Sequence, residues 1–251
     1  MTTRRQLVGV PVDAMSMADT IVWVRAAIGA RRPVAHLCVN AANVATAHDD
    51  ATYRALLDDA DLVGADGASM LWAGRVLGEP LPERVTGIDL MTGICAAAPA
   101  AGWRIALLGS RSDVVARVAA KLSGQGVDVA FARDGYLDGL DLDEVARGVA
   151  ESGADVLFVG MPSPAKEKFV IEHARPAGVP VTIGVGGAFD VVAGDLRRAP
   201  QVWQRLGLEW LYRLLQEPRR LFMRYAVTNT RFVIAVGCER FAQRRRPRPA
   251  S

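Results

Sequence analysis

Short apolar runs alternate with amphipathic stretches along most of the chain. Seven runs have the length and composition of buried strands: LVGVPV (7–12), VAHLCV (34–39), DLVGA (61–65), WRIALLG (103–109), VDVAFA (127–132), ADVLFVG (154–160) and VPVTIGVGG (179–187). Between them, apolar positions recur at helical spacing, for example over residues 16–30, 51–60, 113–122, 143–151 and 165–173. This alternation predicts an α/β, Rossmann-like fold, in which a mostly parallel sheet carries helices on both faces.

The C-terminal part of the chain has a different pattern. Leu, Trp and Phe recur every three to four residues from Trp203 to Phe222, and arginines are threaded among them. Pro200 and Pro218 bracket one predicted helix, because proline is tolerated in the first turn, and a second helix is predicted to run toward Phe241.

Charge divides the chain at the same place. The formal net charge is +3, but residues 197–251 hold 13 arginines and three glutamates, a local net charge of +10. We therefore predict a Rossmann-like body over residues 1–195 and a helical, Arg-rich appendage over residues 196–251, which ends in a disordered basic segment. An acidic body with a basic appendage indicates that the appendage meets an anionic partner.

Cysteine usage and hydropathy indicate a cytoplasmic protein. The three cysteines, at positions 38, 95 and 238, form no CxxC pair, which is typical of a reducing compartment. The apolar run after Arg5 ends at Asp13, too early for a secretory leader, and no apolar window approaches the ~20 residues of a spanning helix.

Candidate chemistry follows the predicted strands, because ligands of open parallel sheets bind beyond the carboxyl ends of the strands. Five polar or glycine-rich positions lie there: Asn40, Asp66, Gly109 with Ser110, Pro162–Lys166 and Gly186–Asp190. Asp66, in GADGAS, fits a general base that faces the cleft. Asp and Asn also cap helices, and on spacing alone a cap is the simpler interpretation of both Asp66 and Asn40.

Three further motifs are weak on their own. GVGGAFD (184–190) and LLGSRSDVV (107–115) are able to bring backbone N–H groups to a phosphate, but tight turns explain them as well. DLD (141–143) matches a metal-binding pattern of nucleotide-sugar transferases, yet it directly precedes a predicted helix, and structural capping is the better interpretation. The three histidines show no metal-binding spacing, and no Ser-His-Asp order stands out.

The amphipathic, Arg-rich appendage with Trp anchors fits an anionic bilayer surface. Docking on its own body explains part of the apolar stripe, and nucleic acid is the competing anionic partner. The aromatic residues share the leucine stripe instead of interleaving with the arginines, and no nucleic-acid motif is present. We predict that the appendage meets a membrane surface and that the protein binds no nucleic acid.

Four segments together resemble one family, the WecG/TagA/CpsF glycosyltransferases (glycosyltransferase family 26). They are VNAANVATA from Val39, DLVGADGASMLWAGRVLGEPLPERVTGIDL from Asp61, FVGMPSPAKEKF from Phe158, and GVGGAFDVVAGDLRRAPQVWQRLGLEWLYRLLQEPRRLFMRY from Gly184. The likeness covers nearly the whole chain, and the last segment is the most specific.

The resemblance implies an inverting hexosyltransferase or N-acetylhexosaminyltransferase. It would move a sugar such as ManNAc from a UDP-sugar to a sugar on polyprenyl (undecaprenyl) diphosphate, in cell-surface polysaccharide or teichoic acid biosynthesis. The enzyme would be peripheral on the inner face of the plasma membrane, and its appendage would be both the membrane anchor and a lid over the cleft. Family members are thought to work without a metal, so no metal and no cofactor is expected.

The resemblance also implies roles for single residues. Asp66 matches the acid of the family's DG motif, the proposed base, and Asn40 matches the Asn of its TxN motif. The residues implied for nucleotide-sugar binding are Cys38, Gly109, Lys166, Glu167, Gly186, Gly187 and Asp190. The residues implied for the acceptor and its lipid diphosphate are Arg84, Thr86, Arg213, Arg220 and Arg224.

Two departures from the family pattern leave the donor sugar open. The Thr of TxN is Cys38 here, and a thiol is a poorer hydrogen-bond partner than a hydroxyl. The Gln of the family's PKQE-like stretch is Lys166, whose added cation is able to sit against a phosphate.

Two other classes of function are the alternatives. One is a soluble nucleotide-binding regulator whose appendage docks a protein or a second subunit, and the other is a nucleic-acid-binding protein. Neither explains the matched segments of the body. Self-association into a homo-oligomer stays open.

Overall fold

The computed structural model describes residues 3–245, except for the side chain of Arg220, and it shows an α/β fold. The strands in this range are β1 (Arg4–Leu7), β2 (Val10–Asp13), β3 (Val34–Val39), β4 (Leu62–Ala65), β5 (Arg104–Gly109), β6 (Asp128–Arg133), β7 (Val156–Gly160) and β8 (Val181–Gly184). The helices are α1 (Met17–Ala30), α2 (Ala41–Asp49), α3 (Ala51–Asp58), α4 (Ala68–Leu77), α5 (Gly87–Ala101), α6 (Ser112–Gly124), α7 (Leu142–Glu151), α8 (Ala165–Lys168), α9 (Ala188–Ala193), α10 (Gln201–Arg205), α11 (Glu209–Gln216) and α12 (Pro218–Arg245). A π-helical segment, Phe169–Ala174, continues α8.

The last six strands form one parallel sheet in the order β4-β3-β8-β7-β5-β6. The chain moves outward from β3 to β4 on one side and from β5 to β6 on the other, so the winding direction reverses near the middle of the sheet. At such a reversal the loops beyond the carboxyl ends separate and leave a crevice for a ligand. The predicted parallel sheet is confirmed.

Alternate residues of the strands point to two apolar cores. In β7, Leu157 and Val159 face one core, and Val156 and Phe158 face the other. The first core is covered by α2, α3, α4, α7, the π-helical segment and α12, and the second by α1, α5, α6 and α9. The prediction of helices on both faces is therefore confirmed, and burial on both sides explains why the strands other than the edge strand β6 are continuous apolar runs.

The first predicted strand is wrong. LVGVPV is not one strand: it contains the last residue of β1, the turn and most of β2, which pairs antiparallel with β1 in a hairpin. Val8 and Gly9, with φ of 53° and 75°, form the two-residue turn. Both residues of such a turn need positive φ, a conformation that a β-branched valine rarely adopts. The apolar pattern alone therefore gave no sign of the turn.

The single helix predicted between Pro200 and Pro218 is also wrong, because the chain breaks it into α10 and α11. The break is centred on Gly207, which has a φ of 72°. A Cβ placed on Gly207 would lie 2.6 Å from the Cβ of Ala68, so the break rests directly on the first residue of α4. The two short helices consequently fold back over the body.

Helix α12 packs along α2 and α4, with Leu221, Phe232 and Val236 buried. The division of the chain at residue 195 stays a prediction. The predicted disordered basic end lies, from residue 246 onward, outside the described residues. Within the described part of the chain, no helix has the length and apolar character needed to cross a bilayer.

Candidate active site

The sequence-predicted positions meet at one edge of the sheet. Asn40 follows β3, Asp66 follows β4, Gly109 ends β5, Pro162–Lys166 follows β7, and Gly186–Asp190 follows β8. Because these strands are parallel, their carboxyl ends lie on the same side. Groups that are far apart in the sequence are thereby brought to one cleft.

Asp66 is fixed by backbone contacts at the end of β4 and does not cap the next helix. Its N–H donates to the carbonyl of Val39 at 2.8 Å. Helix α4 begins two residues later, and its N-cap is Gly67, with a φ of 95° and no side-chain capping bond. The capping interpretation of Asp66 is therefore wrong, and its carboxylate faces the cleft groups instead.

The environment of Asp66 suits a general base. Burial raises the pKa of Asp66 to about 6, and the nearby carboxylate of Glu209 acts in the same direction. Lys166, the Asn40 side chain and Arg84 lower the pKa, because they favour the charged form. A carboxylate with such a pKa is ionised near neutral pH and is more basic than an ordinary aspartate.

Asn40 acts both as a cap and as a neighbour of Asp66. Its Oδ1 accepts from the N–H groups of Ala42 at 3.0 Å and Asn43 at 3.4 Å, while its own N–H donates to Asn43 Oδ1 at 3.0 Å. The capping interpretation of Asn40 is confirmed. Since the carbonyl oxygen is used by the helix, the amide NH₂ remains to donate toward Asp66.

Lys166 and Glu167 form a buried ion pair behind Asp66. Lys166 Nζ lies 3.0 Å from Glu167 Oε1, and the two residues are only 6% and 0% exposed. The lysine stem crosses Gly184 so closely that a Cβ there would lie 3.0 Å from Lys166 Cδ. In the structure the lysine contacts a carboxylate, and its predicted contact with a phosphate stays a prediction.

Three polar side chains hold Glu167 in place. Tyr53 donates to Glu167 Oε1 at 3.1 Å, and Ser163 donates to the same oxygen at 2.8 Å. Asn43 in turn donates to the Tyr53 hydroxyl at 2.7 Å. The fully buried Glu167 therefore serves as an internal support for Lys166, and its predicted role in nucleotide binding would act through that lysine.

Two neutral side chains of β3 lie beneath the edge. Cys38 is buried with its Sγ 3.7 Å from the carbonyl of Val85, and burial together with the charge of Asp66 raises the pKa of this thiol. Burial lowers the pKa of His36 to about 4, and neither ring nitrogen has a hydrogen-bond partner among the described residues. The positive charge that reaches Asp66 therefore comes from Lys166 and Arg84.

The glycine turns after β5 and β8 meet through Ser110 and Asp190. Gly109 has a φ of 144°, and a Cβ there would lie 2.5 Å from backbone atoms of Gly160, so only glycine fits. Ser110 donates to Asp190 Oδ1 at 3.0 Å. This contact links the two segments predicted to bind the nucleotide.

Arg213 of the appendage reaches the turn after β8. A Cβ on Gly187 would lie 2.8 Å from Arg213 Nη2, so the guanidinium rests against the backbone of this turn. Gly186, with a φ of 55°, precedes it. One predicted acceptor residue is thus grouped with the predicted nucleotide residues.

Arg84 lies near Asp66 and is held by the appendage. Its Nη1 donates to Glu209 Oε2 at 2.6 Å, and its Nη2 donates to Gln204 Oε1 at 3.3 Å. These two bonds join the loop before α5 to α10 and α11. The appendage therefore closes over the side of the cleft that carries the base.

The remaining predicted acceptor residues are placed differently. Thr86 is the N-cap of α5, where its Oγ1 accepts from the Asp89 N–H at 3.2 Å and donates to Asp89 Oδ2 at 2.7 Å. Arg224 is exposed on α12, with its guanidinium 5.4 Å from the ring centroid of Tyr225. The side chain of Arg220 lies outside the described residues. The contacts thus bring Arg84 and Arg213 to the edge and use Thr86 as a helix cap.

The DLD motif has a structural role, as predicted. Asp141 caps α7, where its Oδ1 accepts from the N–H groups of Asp143 at 2.9 Å and Glu144 at 3.3 Å, and Asp143 contacts His173 Nδ1 at 2.6 Å. Over residues 3–245 no three His, Cys, Asp or Glu side chains are grouped closely enough to hold a metal ion.

Sequence reasoning missed three kinds of residue around the site. Tyr53 carries no local signal, because it contacts a glutamate 114 positions away. The sequence offers one sign of a special role for Glu209: it is one of only three acidic residues in the strongly basic appendage. Tyr136 is 66% exposed three residues after β6, next to Gly135, whose Cβ would lie 2.9 Å from Gly109 Cα. The strand-end rule identifies Tyr136 once β6 is known to be in the sheet.

Comparison with protein families gives a match over nearly the whole chain. The model described as the glycosyl transferase WecG/TagA/CpsF family matches residues 5–246. The match spans the body and most of the appendage, and it is the same family that the four sequence segments resemble.

Proposed function

The chain belongs to the WecG/TagA/CpsF glycosyltransferase family, and we propose that it transfers a sugar from a UDP-sugar, with inversion, to a sugar carried on polyprenyl diphosphate. The donor would carry an N-acetylhexosamine such as ManNAc, or a hexose. The product would be an intermediate of cell-surface polysaccharide or teichoic acid synthesis. Family membership leaves the regulator and nucleic-acid alternatives without support.

One observation carries the proposal: a partly buried aspartate with a pKa of about 6 stands at the carboxyl edge, within electrostatic reach of two cations, Lys166 and Arg84. In the proposed step, a hydroxyl of the acceptor sugar gives its proton to the Asp66 carboxylate. The hydroxyl oxygen forms a bond to the anomeric carbon as the bond from that carbon to the UDP oxygen breaks. General-base help of this kind is worth a factor of ~10²–10⁴ in rate.

Asn40 would orient the base. Its amide is fixed because its carbonyl oxygen is held by the first turn of α2. A fixed donor beside Asp66 keeps one carboxylate oxygen occupied and presents the other to the acceptor.

The departing UDP would be met by donors of the protein, without a metal. Arg213 rests on the turn at Gly187, and the backbone N–H groups of that turn lie beside it. Arginine and backbone N–H groups are suited to the negative charge that develops on a diphosphate. The ring of Tyr136, which is exposed at the same edge, would stack on the base of the nucleotide.

The appendage would hold the enzyme on the inner face of the plasma membrane. Large apolar side chains stand exposed along α12, and the most exposed are Phe222 at 60%, Met223 at 67% and Ile234 at 59%. The arginines of the same helix favour anionic lipid headgroups. Such a peripheral contact would bring the cleft to its lipid-linked acceptor.

The test is a transfer assay with purified protein, a panel of UDP-sugars and a short-chain polyprenyl diphosphate–GlcNAc acceptor, in detergent and EDTA. We expect one donor to be used, and activity to be lost in Asp66→Asn but kept in the exposed control Asp138→Asn. Absence of transfer with every donor, on GlcNAc-primed and glucose-primed acceptors alike, would refute the proposed reaction. Transfer that disappears in EDTA and returns with a divalent metal would refute the metal-free mechanism.

A further inference from the structure

A carboxylate of the appendage occupies the arginines nearest the base. Glu209 Oε2 lies 2.6 Å from Arg84 Nη1, and Glu209 Oε1 lies 3.9 Å from Arg198 Nε. That Nε atom is buried and has no hydrogen-bond partner among the described residues. Arg198 also contacts Asp89 through Nη2, which fixes its orientation. Two guanidinium groups thus converge on one carboxylate.

The carboxylates of this cluster do not satisfy all the donors of its arginines. Glu209 pairs with Arg84, and Asp89 pairs with Arg198. The buried Nε of Arg198 is still left without a hydrogen bond among the described residues. Planar guanidinium groups bind phosphate oxygens with the same forked geometry that they use for carboxylates. A diphosphate carries more negative charge and more acceptor oxygens than Glu209 does.

The position of the cluster matches one end of the proposed acceptor. Glu209 is close enough to Asp66 to raise the pKa of that base, so an anion held by Arg84 and Arg198 would also lie beside the base. In the proposed reaction the attacking hydroxyl must reach Asp66, and the lipid diphosphate is attached to the same sugar ring. The anion site and the base are therefore suited to the two ends of one acceptor sugar.

We propose that Arg84 and Arg198 form the binding site of the acceptor's diphosphate and that Glu209 is an internal substitute, which occupies this site until the acceptor displaces it. This inference rests on the proposed function, and it adds Arg198 as a ligand and Glu209 as a competitor. Since Glu209 begins α11, its displacement would release the contact that closes the appendage over the base. Binding of the acceptor and opening of the cleft would then be one event.

The experiment is a calorimetric titration of the full chain with geranyl diphosphate, a soluble prenyl diphosphate, with and without saturating UDP. Glu209→Gln keeps the shape of the side chain and removes its charge, and Glu172→Gln, which pairs with Lys168 on another surface, is the matched control. We expect Glu209→Gln to lower the Kd about tenfold relative to Glu172→Gln, because one charge-assisted contact no longer competes. A Kd equal to that of Glu172→Gln would overturn the role of Glu209.

The arginine side of the site is tested in the same way. Arg198→Gln is expected to raise the Kd about tenfold, whereas Arg32→Gln, a 70% exposed arginine paired with Asp61, leaves it unchanged. Equal binding by both variants would overturn the proposed site. Loss of all binding in the presence of UDP would also overturn it, because geranyl diphosphate would then be binding at the UDP site. Thermal melting of each variant checks its fold.

The binding test needs no sugar transfer. Suppose that no UDP-sugar is used by the enzyme but Glu209→Gln still binds geranyl diphosphate more tightly than Glu172→Gln. The proposed reaction is then refuted, and the proposed diphosphate site is supported. If transfer is found and the Glu209→Gln result is negative, the reaction stands and the substitute role of Glu209 fails.

Discussion

The carboxyl edge of the sheet and the appendage differ in which side chains they bury and which they expose to solvent. At the edge, charged side chains are buried, and Lys166 and Glu167 are 6% and 0% exposed. In the appendage, apolar side chains are exposed: of the 14 large hydrophobic residues that stand out among the described residues, 10 lie between Val202 and Phe241. The edge thus holds its charges in fixed positions, and the described part of the appendage leaves apolar surface exposed.

This difference separates the two tasks that the proposed reaction requires. Base catalysis needs charges that are desolvated and held in one geometry, because such charges act strongly on the reacting atoms. Adhesion to a bilayer needs apolar surface that is available, and precise placement matters less. The two regions are joined at the Arg84–Glu209 contact, where the appendage touches the surroundings of the base.

Two glycines give the largest expected contrast between the regions. Gly109→Ala should lower the free energy of unfolding by about 2–5 kcal/mol, because its positive φ and the 2.5 Å approach to Gly160 both resist a side chain. Gly207→Ala, whose Cβ would lie 2.6 Å from Ala68, should instead loosen the appendage and leave global unfolding nearly unchanged. Denaturant unfolding and limited proteolysis near residues 196–208 distinguish the two. Equal losses of global stability would contradict the separation.

The next largest effect is on the free energy of unfolding, which is lowered because the folded protein keeps Asp66 charged at neutral pH. Its folded pKa of about 6 lies above the ordinary 3.8, so its contribution to stability is complete below about pH 3.8 and is lost as the pH rises through 6. Asp66→Asn does not titrate, and it should be more stable than the wild type by about 2–3 kcal/mol at neutral pH. No gain is expected near pH 3.8. Chemical denaturation at the two pH values checks this, and a gain of the same size at both would contradict burial as its cause.

A third prediction sharpens the role of the exposed apolar surface. Phe222→Ser should weaken binding to anionic vesicles by about tenfold or more, which reflects about 1.5–3 kcal/mol for a buried aromatic side chain. It should barely change folding stability, because Phe222 is 60% exposed. Val22→Ser, at a 65% exposed position of α1 in the body, is the matched control. Vesicle co-sedimentation measures both, and equal losses would show that adhesion is not specific to the appendage.

The smallest predicted effect is a shift in the pH dependence of transfer. Lys166 lowers the pKa of Asp66, so Lys166→Met should move the acid limb of kcat/KM to higher pH by about 1 unit. Glu209 raises that pKa, so Glu209→Gln should move the limb the other way. Parallel pH–rate profiles show the direction, and shifts of the same sign would contradict the assigned electrostatics.

Much of the fold of the body was predictable because its strands are marked by short, continuous patterns in the sequence. Strands buried on both faces must be continuous apolar runs, and this signature identified β3, β4, β5, β7 and β8, while β6 at the sheet edge is only partly buried. Residues at their carboxyl ends followed from a general rule of parallel sheets. The hairpin at Val8 was missed because its turn places a valine at positive φ.

The rest of the site depends on long-range contacts that sequence periodicity does not contain. The apolar stripe of the appendage continues across Gly207, so the break between α10 and α11 is visible only when Ala68 is seen beneath it. Lysine is rarely buried, and the position of Lys166 depends on Glu167 and on the space above Gly184. The supporting hydroxyl of Tyr53 comes from a helix distant in the sequence.

The role of Asp66 as the base is tested most directly by kcat/KM for transfer from about pH 4.5 to about pH 8, in the wild type and Asp66→Asn. The wild type should lose activity as the pH falls through about 6, the pKa of Asp66. Asp66→Asn should be slower by ~10²–10⁴ and should lack that limb. An Asp66→Asn enzyme that stays within about tenfold of the wild type, or keeps the same acid limb, would contradict the assignment of Asp66 as the base.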